Sequence, residues 1–322
     1  MSDYASYDSL MRHMRNTGLN INGSTQKRHL LLMGYYHGYK GYRFKGLPSN
    51  TISFTDFSQL QDLVEFDESI KSIMYLPLMQ LETAIKSICC DKIVTIIKSD
   101  SFSTVFEKAM NKNDNGKNNG IIAKKLKCRN TIYSSMASRY GSSSKIVPHF
   151  YDKDNYIPLW GIIEELTLGG LSTLIDTLTP QINLAISKEL GLPSNYNTDG
   201  KLLSKIILIV KEFRNATAHN KVVFDGRYKE FQKRKSIGEL LSKTTCIENI
   251  SFNSVIDDIV LVIFLMKNLK FNKKTLLKVV NQLLSEIEKL YNKLGCDLYK
   301  ECLPFDSRDK LIKLKKFIEK KD

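Results

Sequence analysis

The residues best suited to chemistry lie near the end of a predicted helix, at positions 213–220. Arg214 and one of only five histidines, His219, are five positions apart, and an asparagine follows each of them. A guanidinium is a forked, permanently charged donor that matches phosphate oxygens. An imidazole transfers protons near neutral pH. Together they suit RNA cleavage by the RNA's own 2′-OH, in which His219 moves protons and Arg214 stabilises the charged phosphate.

The spacing limits how these side chains can cooperate. Five positions on a straight α-helix turn through about 500°, so Arg214 and His219 lie about 140° apart around the axis. They share a face only if the helix bends or ends between them. Asn215 is four positions before His219 and does share its face, so its amide is expected to hold one ring nitrogen. Asn220 completes the predicted catalytic set; alternatively, all four residues are capping or surface groups.

Composition argues against a metal or cofactor and against a membrane span. The six cysteines are scattered, and no Cys/His cluster has the spacing of a zinc site. We therefore expect no metal, no cofactor and reduced thiols, as in a cytoplasmic protein. The polar N-terminus does not resemble a signal peptide. The longest apolar run, at 255–266, is too short and too charged to cross a bilayer.

The charge balance favours a polyanionic partner. The formal net charge is +14, which suits RNA, although a Lys-, Asn- and Ile-rich proteome explains the excess equally well. The most concentrated basic run of the first half lies at 124–130, and a second charged run, at 225–235, follows the Arg/His motif. A solvated helix face is at least as good an explanation of the first run. The residues that we predict to contact RNA phosphates are Lys124, Lys125, Lys127, Arg129 and Arg227.

The apolar pattern predicts an all-α fold. The chain is 42% apolar, and it has only 17 glycines and 7 prolines in 322 residues. No stretch alternates between apolar and polar residues as a strand would, so we predict one all-α domain over 1–322. Inside this domain we expect a polar loop at about 109–120 and a variable basic segment at about 121–150. Predicted helices cover 4–16, 24–33, 54–91 with a kink or break at Pro77, 157–168 ending at Gly169-Gly170, 171–190 with a break near Pro180, the stretch from 202, and 254–268, 273–294 and 307–321.

Two features remain open at this level. The tyrosines of segment 34–44 either stack on bases or pack a bent helix end, each hydroxyl finding one partner, and we favour packing. Glu164 stands beside an apolar stripe, which makes it either an ion-pair partner in the core or an active-site residue that orients Arg214.

Four blocks of the sequence stand out together. They are the Gly/Tyr-rich segment 34–44, Phe66-Asp67 with 81–86, the Pro-x-Trp…Glu…Gly block 158–172, and the Arg/His motif 214–220. In this order they resemble the Abi-like (Abi_2) family of bacterial abortive infection proteins, a branch of the HEPN superfamily. The resemblance runs from about residue 9 to about residue 290. Lys86 stands where arginine is commoner in the family, and the segment at 109–150 matches poorly.

The resemblance implies a metal-independent endoribonuclease that acts in phage defence or as the toxin of a toxin–antitoxin system. Such enzymes generally build one active site from two motifs that face each other across a two-fold dimer. Because this chain has a single Arg-x4-His motif, activity would require a homodimer. Some relatives associate with a small noncoding RNA. The alternative function is a non-catalytic RNA-binding protein that holds a structured RNA with the same motif.

Overall fold

The protein is described by a computed structural model that covers residues 6–110, 119–142, 144–193, 201–229 and 234–320. Within these ranges the chain forms α-helices and one π-helical segment, and its only β contacts are isolated bridges. The all-α prediction is therefore confirmed. In the same ranges, no helix combines the length and apolar character needed to cross a membrane.

The predicted helices are present, and further helices that the pattern did not predict lie between them. Their bounds are α1 Tyr7–Asn16, α2 Gly23–Met33, the π-helical segment Tyr35–Lys40, α3 Phe57–Ile97, α4 Phe102–Lys108, α5 Asn119–Arg139, α6 Ile146–Tyr151, α7 Leu159–Glu165, α8 Leu168–Thr177, α9 Pro180–Glu189, α10 Leu202–Ala218, α11 Lys235–Thr245, α12 Val255–Asn268, α13 Lys273–Cys302 and α14 Ser307–Glu319.

The chain divides into two compact units. The first consists of Met1–Pro77 and Glu212–Asp322, and the second of Leu78–Lys211. The boundaries fall inside α3, directly after Pro77, and inside α10. The sequence alone predicts a single domain and gives no sign of this division.

The core of the first unit is built around α12. Every residue from Val255 to Met266 is buried, and α12 packs against α11, α13 and α14. A helix that is apolar on all sides is stable only when other elements cover it completely. Ser254 begins the helix by accepting a hydrogen bond from the backbone N–H of Ile256 at 3.3 Å. The predicted helix over 254–268 is confirmed.

In the second unit, α5 packs against α7 and α8. Its buried side chains are Cys128, Ile132 and Met136, which recur every four positions and so form one stripe of the helix. The predicted basic segment at 121–150 is therefore mostly helical, comprising most of α5 and most of α6. Residues 111–118 of the predicted polar loop lie outside the described residues.

Two predicted boundaries differ from the structure. The helix predicted to end at Gly169-Gly170 ends earlier, because Thr167 starts α8 by accepting a hydrogen bond from the N–H of Gly170 at 3.1 Å. The glycines therefore lie in the first turn of α8, and their prediction as a helix end is wrong. The helix predicted over 273–294 does end at a kink, at Gly295 with φ 74°, but a second helical stretch follows directly and continues α13 to Cys302.

Two acidic residues at the start of α12 are buried, and each is compensated within the fold. Asp257 Oδ2 accepts hydrogen bonds from the N–H groups of Ser251 and Phe252 at 3.1 and 2.8 Å. Its Oδ1 accepts from Lys310 Nζ at 2.8 Å. A buried carboxylate without such partners is strongly destabilising.

Replacing Asp257 by alanine should therefore lower the free energy of unfolding by about 3–5 kcal/mol, because Lys310 loses its closest carboxylate and the N–H groups of Ser251 and Phe252 lose their acceptor. Urea denaturation of the full chain measures the change. Asp297→Ala, at an exposed position of α13, is the matched control and should alter stability by less than about 0.5 kcal/mol. Equal stability of the two variants would contradict the role of Asp257.

Candidate functional site

The Arg/His motif lies where α10 ends. The backbone N–H of His219 bonds to the carbonyl of Asn215 at 2.9 Å, so the helical pattern continues to this residue. Asn220 then adopts a left-handed conformation with φ 49°, and the N–H of Lys221 bonds back to the carbonyl of Ala216 at 2.9 Å. This is a Schellman-type ending, in which asparagine replaces the more usual glycine. His219 thus directly follows α10 and continues its hydrogen-bond pattern by one residue.

The regular backbone fixes the relative directions of the two candidate catalytic side chains. A regular helix places side chains five positions apart about 140° apart around its axis, and the hydrogen-bond pattern of α10 continues across Arg214 to His219. Arg214 is half-buried and its Nη1 donates to Asn215 Oδ1 at 3.1 Å. His219 is exposed, and its ring makes no hydrogen bond to any residue in the described ranges. The expected hydrogen bond between Asn215 and the imidazole is therefore not observed, and Asn215 holds the guanidinium instead.

The segment that follows the motif is attached to α3 by a buried carboxylate. Asp67 is fully buried, and its Oδ1 accepts hydrogen bonds from the backbone N–H groups of Val223 and Phe224 at 2.9 and 2.7 Å. Its Oδ2 accepts from Tyr42 Oη at 2.7 Å and pairs with Lys71 Nζ at 3.0 Å. Burial raises the pKa of Asp67, and the Lys71 ammonium and the hydrogen-bond donors oppose that rise.

Lys71 extends this arrangement to the motif itself. Its Nζ donates to Asn220 Oδ1 at 2.6 Å while it pairs with Asp67. Asn220, predicted as catalytic, thus terminates α10 and anchors it to α3. Sequence reasoning overlooked Lys71, although its position four residues after Asp67 within an apolar stripe is typical of a helical ion pair.

The tyrosines of segment 34–44 mainly pack the fold. Tyr39 and Tyr42 are buried, and the hydroxyl of Tyr39 lies 3.3 Å from Thr17 Oγ1. The ring of Tyr42 stacks on Phe224 with the centroids 5.9 Å apart, while its hydroxyl reaches the Asp67 carboxylate. The packing interpretation is confirmed for these two residues, whereas Tyr36 is 74% exposed.

Arg227 is engaged within the protein. Its Nε donates to both carboxylate oxygens of Asp225, at 3.0 and 2.9 Å. Its Nη1 donates to the carbonyl of Gly41 at 2.7 Å, and its Nη2 donates to the carbonyl of Phe44 and to Asp225. The guanidinium also lies 4.1 Å from the centroid of the Phe44 ring. This differs from the expectation of an RNA-facing side chain, and we assign Arg227 a structural role.

The other four predicted RNA contacts lie on α5, in the second unit. Lys124 and Lys127 are exposed, and Lys124 pairs with Asp176 at 3.1 Å. Lys125 and Arg129 lie over the ring of Phe106, at 4.5 and 5.5 Å from its centroid. The side chains of Lys125 and Arg129 are thus held against an aromatic ring. Contact between α5 and RNA stays a prediction.

Glu82 and Glu164 lie in the second and third of the four blocks that resemble the Abi-like family, and they have different roles. Lys86 Nζ pairs with Glu82 Oε1 at 3.2 Å, as their i,i+4 spacing predicts, and it donates to the backbone carbonyl of Glu164 at 3.0 Å. The side chain of Glu164 is exposed, so it is not the core ion-pair partner that the apolar stripe suggested. Its action on Arg214 stays a prediction.

The six cysteines are free thiols, and Cys89 is buried in α3. Burial raises the pKa of the Cys89 thiol. In the ranges that the structure describes, no group of His, Cys, Asp and Glu residues is arranged to hold a metal ion.

Fold and motif together define an all-α protein that carries an Arg/His pair at the anchored end of a helix. The chain matches the Abi_2 family, described as Abi-like protein, over residues 28–225. It therefore belongs to the Abi-like family, which associates it with abortive infection, a form of phage defence. The matched range includes the tyrosine segment, Asp67 and the whole of α10. No curated protein and no solved structure matches the chain.

Replacing Asp67 by alanine should free the segment after the motif, because two buried N–H groups and the Lys71 ammonium lose their acceptor. We expect a loss of about 3–5 kcal/mol in unfolding free energy. Hydrogen exchange should accelerate more at the amides of Val223 and Phe224 than in α12. Glu68→Ala, at the next and exposed position of α3, should leave both measurements nearly unchanged. Unaltered protection of the two amides in Asp67→Ala would refute the anchoring role.

Proposed function

We propose that the protein is a metal-independent endoribonuclease of the HEPN superfamily that acts in an abortive infection or toxin–antitoxin system. Its active site would form between two copies related by a two-fold axis. The observation that supports this most is the geometry of α10: the guanidinium of Arg214 is held by Asn215, and the ring of His219 is exposed. A regular helix places these two positions about 140° apart around its axis. A single copy with a straight helix therefore does not bring the guanidinium of Arg214 and the imidazole of His219 to the same point.

A two-fold axis supplies what one copy lacks. In a symmetric dimer the same surface meets itself, so the two α10 ends can approach each other. Arg214 of one copy then lies near His219 of the other. The anchoring of Asn220 by Lys71 supports the proposal further, because catalytic groups on an ordered helix end need little reorganisation before reaction.

The proposed reaction uses the nucleophile that RNA itself carries. One His219 removes the proton of the 2′-OH, and the 2′ oxygen attacks the adjacent phosphorus. The bond from phosphorus to the 5′ oxygen breaks, and the second His219 protonates that oxygen. The products are a 2′,3′-cyclic phosphate and a free 5′-OH. The Arg214 side chains stabilise the charge on the pentacoordinate phosphate through forked hydrogen bonds.

Alanine at His219 should reduce RNA cleavage by roughly 10²–10⁴-fold, because proton transfer is lost. Alanine at Arg214 should reduce it by about 10²–10³-fold. Both variants should keep the dimer mass and most of the RNA affinity. Cleavage of end-labelled RNA in EDTA measures the rate, and an RNA with 2′-deoxy sugars should resist cleavage. His13→Ala and Arg28→Ala, both at exposed positions, are the matched controls and should remain fully active.

A mixed dimer tests the composite site directly. Co-expression of differently tagged Arg214→Ala and His219→Ala chains gives a heterodimer that retains one arginine and one histidine. It should regain part of the activity that both homodimers lack.

A monomeric wild-type protein would exclude the proposal. RNA binding without any cleavage, weakened by the same two substitutions, would instead identify a non-catalytic RNA-binding protein.

We also propose that a small noncoding RNA binds the protein and controls it, which the formal charge of +14 favours. Protein purified from its native operon should then show an absorbance ratio at 260 and 280 nm well above that of protein. Its mass by light scattering should exceed a whole number of chains. A protein-like ratio at the mass of a dimer would contradict this control while leaving the nuclease proposal intact.

A further inference from the structure

The π-helical segment Tyr35–Lys40 presents an aromatic ring that the core of the first unit does not use. Tyr36 is 74% exposed, whereas Tyr39, three positions later, is buried. The hydroxyl of Tyr36 makes no hydrogen bond to the described residues. Short π-helical segments are rare in proteins and are frequent at functional sites. The ring of Tyr36 is therefore available to a ligand.

The segment that carries Tyr36 is packed firmly against its neighbours. The ring of Tyr35 stacks on that of the buried Tyr39, with the centroids 5.4 Å apart. A Cβ atom at Gly38 would lie 2.6 Å from Met33 Cγ, so only glycine fits this close contact with the end of α2. The ring of Tyr36 itself stands perpendicular to that of His37 at 5.5 Å. Tyr36 is thus presented from an ordered element.

The segment also lies against the chain that follows the Arg/His motif. A Cβ atom at Gly41 would lie 3.2 Å from Cγ2 of Val222, which is three residues after His219. The carbonyl of Gly41 accepts a hydrogen bond from Arg227 Nη1 at 2.7 Å. Tyr42, the next residue, donates to Asp67. These contacts, all within the first unit, attach the end of the segment to the same anchor that holds the end of α10.

The charge around Tyr36 is positive. Lys40 is about one π-helical turn after Tyr36, and its Nζ lies 5.4 Å from the centroid of the Tyr35 ring. The guanidinium of Arg43 lies 5.9 Å from the centroid of the Tyr39 ring. No ion pair in the described ranges includes Lys40 or Arg43.

The acidic groups around this segment do not offset that charge. Residues 9–55 contain seven Lys or Arg residues and no Asp or Glu. Two carboxylates from other parts of the chain contact residues 42–46, those of Asp67 and Asp225. Asp67 already pairs with Lys71, and Asp225 with Arg227. Lys40 and Arg43 therefore suit the phosphates of a polyanion.

We propose that Tyr36 stacks on an unpaired base of the RNA that reaches the Arg/His site, while Lys40 and Arg43 contact its phosphates. The inference rests on the proposed nuclease function and defines its substrate as single-stranded RNA. Every base offers a flat face to an aromatic ring, so the contact tolerates any sequence. In a duplex those faces are covered by the neighbouring base pairs. The side chains of Leu31 and Leu32, 53% and 74% exposed at the end of α2, add apolar surface that suits bases rather than a phosphate backbone.

Fluorescence anisotropy of the full chain with a labelled single-stranded 2′-O-methyl oligoribonucleotide tests the contact, because the blocked 2′ oxygen prevents cleavage. Tyr36→Ala should weaken binding about 5- to 100-fold, the range for the loss of one stacked base. Tyr36→Phe keeps the ring and should bind as the wild type does. The affinity for a duplex of the same sequence should be equal in Tyr36→Ala and the wild type. Tyr291→Ala, at a 41% exposed tyrosine of α13, is the matched control and should bind normally.

Two further measurements separate a contact with RNA from a structural role. Lys40→Gln should reduce the slope of log affinity against log salt by about 0.7, the value for one phosphate contact on a single strand. Lys278→Gln, at an exposed position of α13, should leave that slope unchanged. In the cleavage of unmodified RNA, Tyr36→Ala should raise KM with little change in kcat, because the stacked base is bound equally before and during the reaction.

Several results would overturn the proposal. Equal affinity of the wild type and Tyr36→Ala for the single strand would do so, as would an equal loss in Tyr36→Phe, since the ring would then not be the binding group. A fall in the mass of the protein by light scattering in Tyr36→Ala would assign the surface to a contact between copies. Failure of the nuclease proposal is a different result: binding that depends on Tyr36, without any cleavage by the wild type, would reject the nuclease and support the stacking contact.

Discussion

The buried carboxylate of Asp67 is the interaction on which the geometry of the candidate site depends. An ionised carboxylate is tolerated away from water only when donors surround it, and here two backbone amides, a tyrosine hydroxyl and a lysine do so. Two of those donors belong to the chain directly after the Arg/His motif. The Nζ of Lys71 also donates a hydrogen bond to Asn220. The end of α10 is therefore held in place by the Asp67–Lys71 ion pair of α3.

Much of this architecture follows from local patterns in the sequence. The strongly apolar run at 255–266 predicts the helix α12, and Pro180 correctly marks the break before α9. The partners of Asp67 could not be predicted in the same way, because Tyr42 is 25 residues away and Val223 is 156 residues away. Periodicity reports which face of a helix is buried, but it does not report which distant backbone will satisfy a buried charge.

The partners of a basic residue are likewise not predictable from the overall composition. Arg227 and Lys45 both belong to a strongly basic chain, and the net charge does not distinguish them. The difference is local, since Asp225 accepts hydrogen bonds from the guanidinium of Arg227, whereas none of the ion pairs in the described ranges includes Lys45. Whether a cation is engaged within the fold is therefore decided by the acidic groups close to it rather than by the overall excess of charge.

The regular end of α10 has a consequence for control under the proposed two-copy site. A kinked helix could bring Arg214 and His219 together in one chain, which would then be active at any concentration. A straight helix keeps them about 140° apart, so activity would depend on association and hence on protein concentration. A bound RNA that covers the end of α10 would block association without altering the fold. The straight helix that keeps Arg214 and His219 apart in one chain would then make a toxic activity depend on dimer formation.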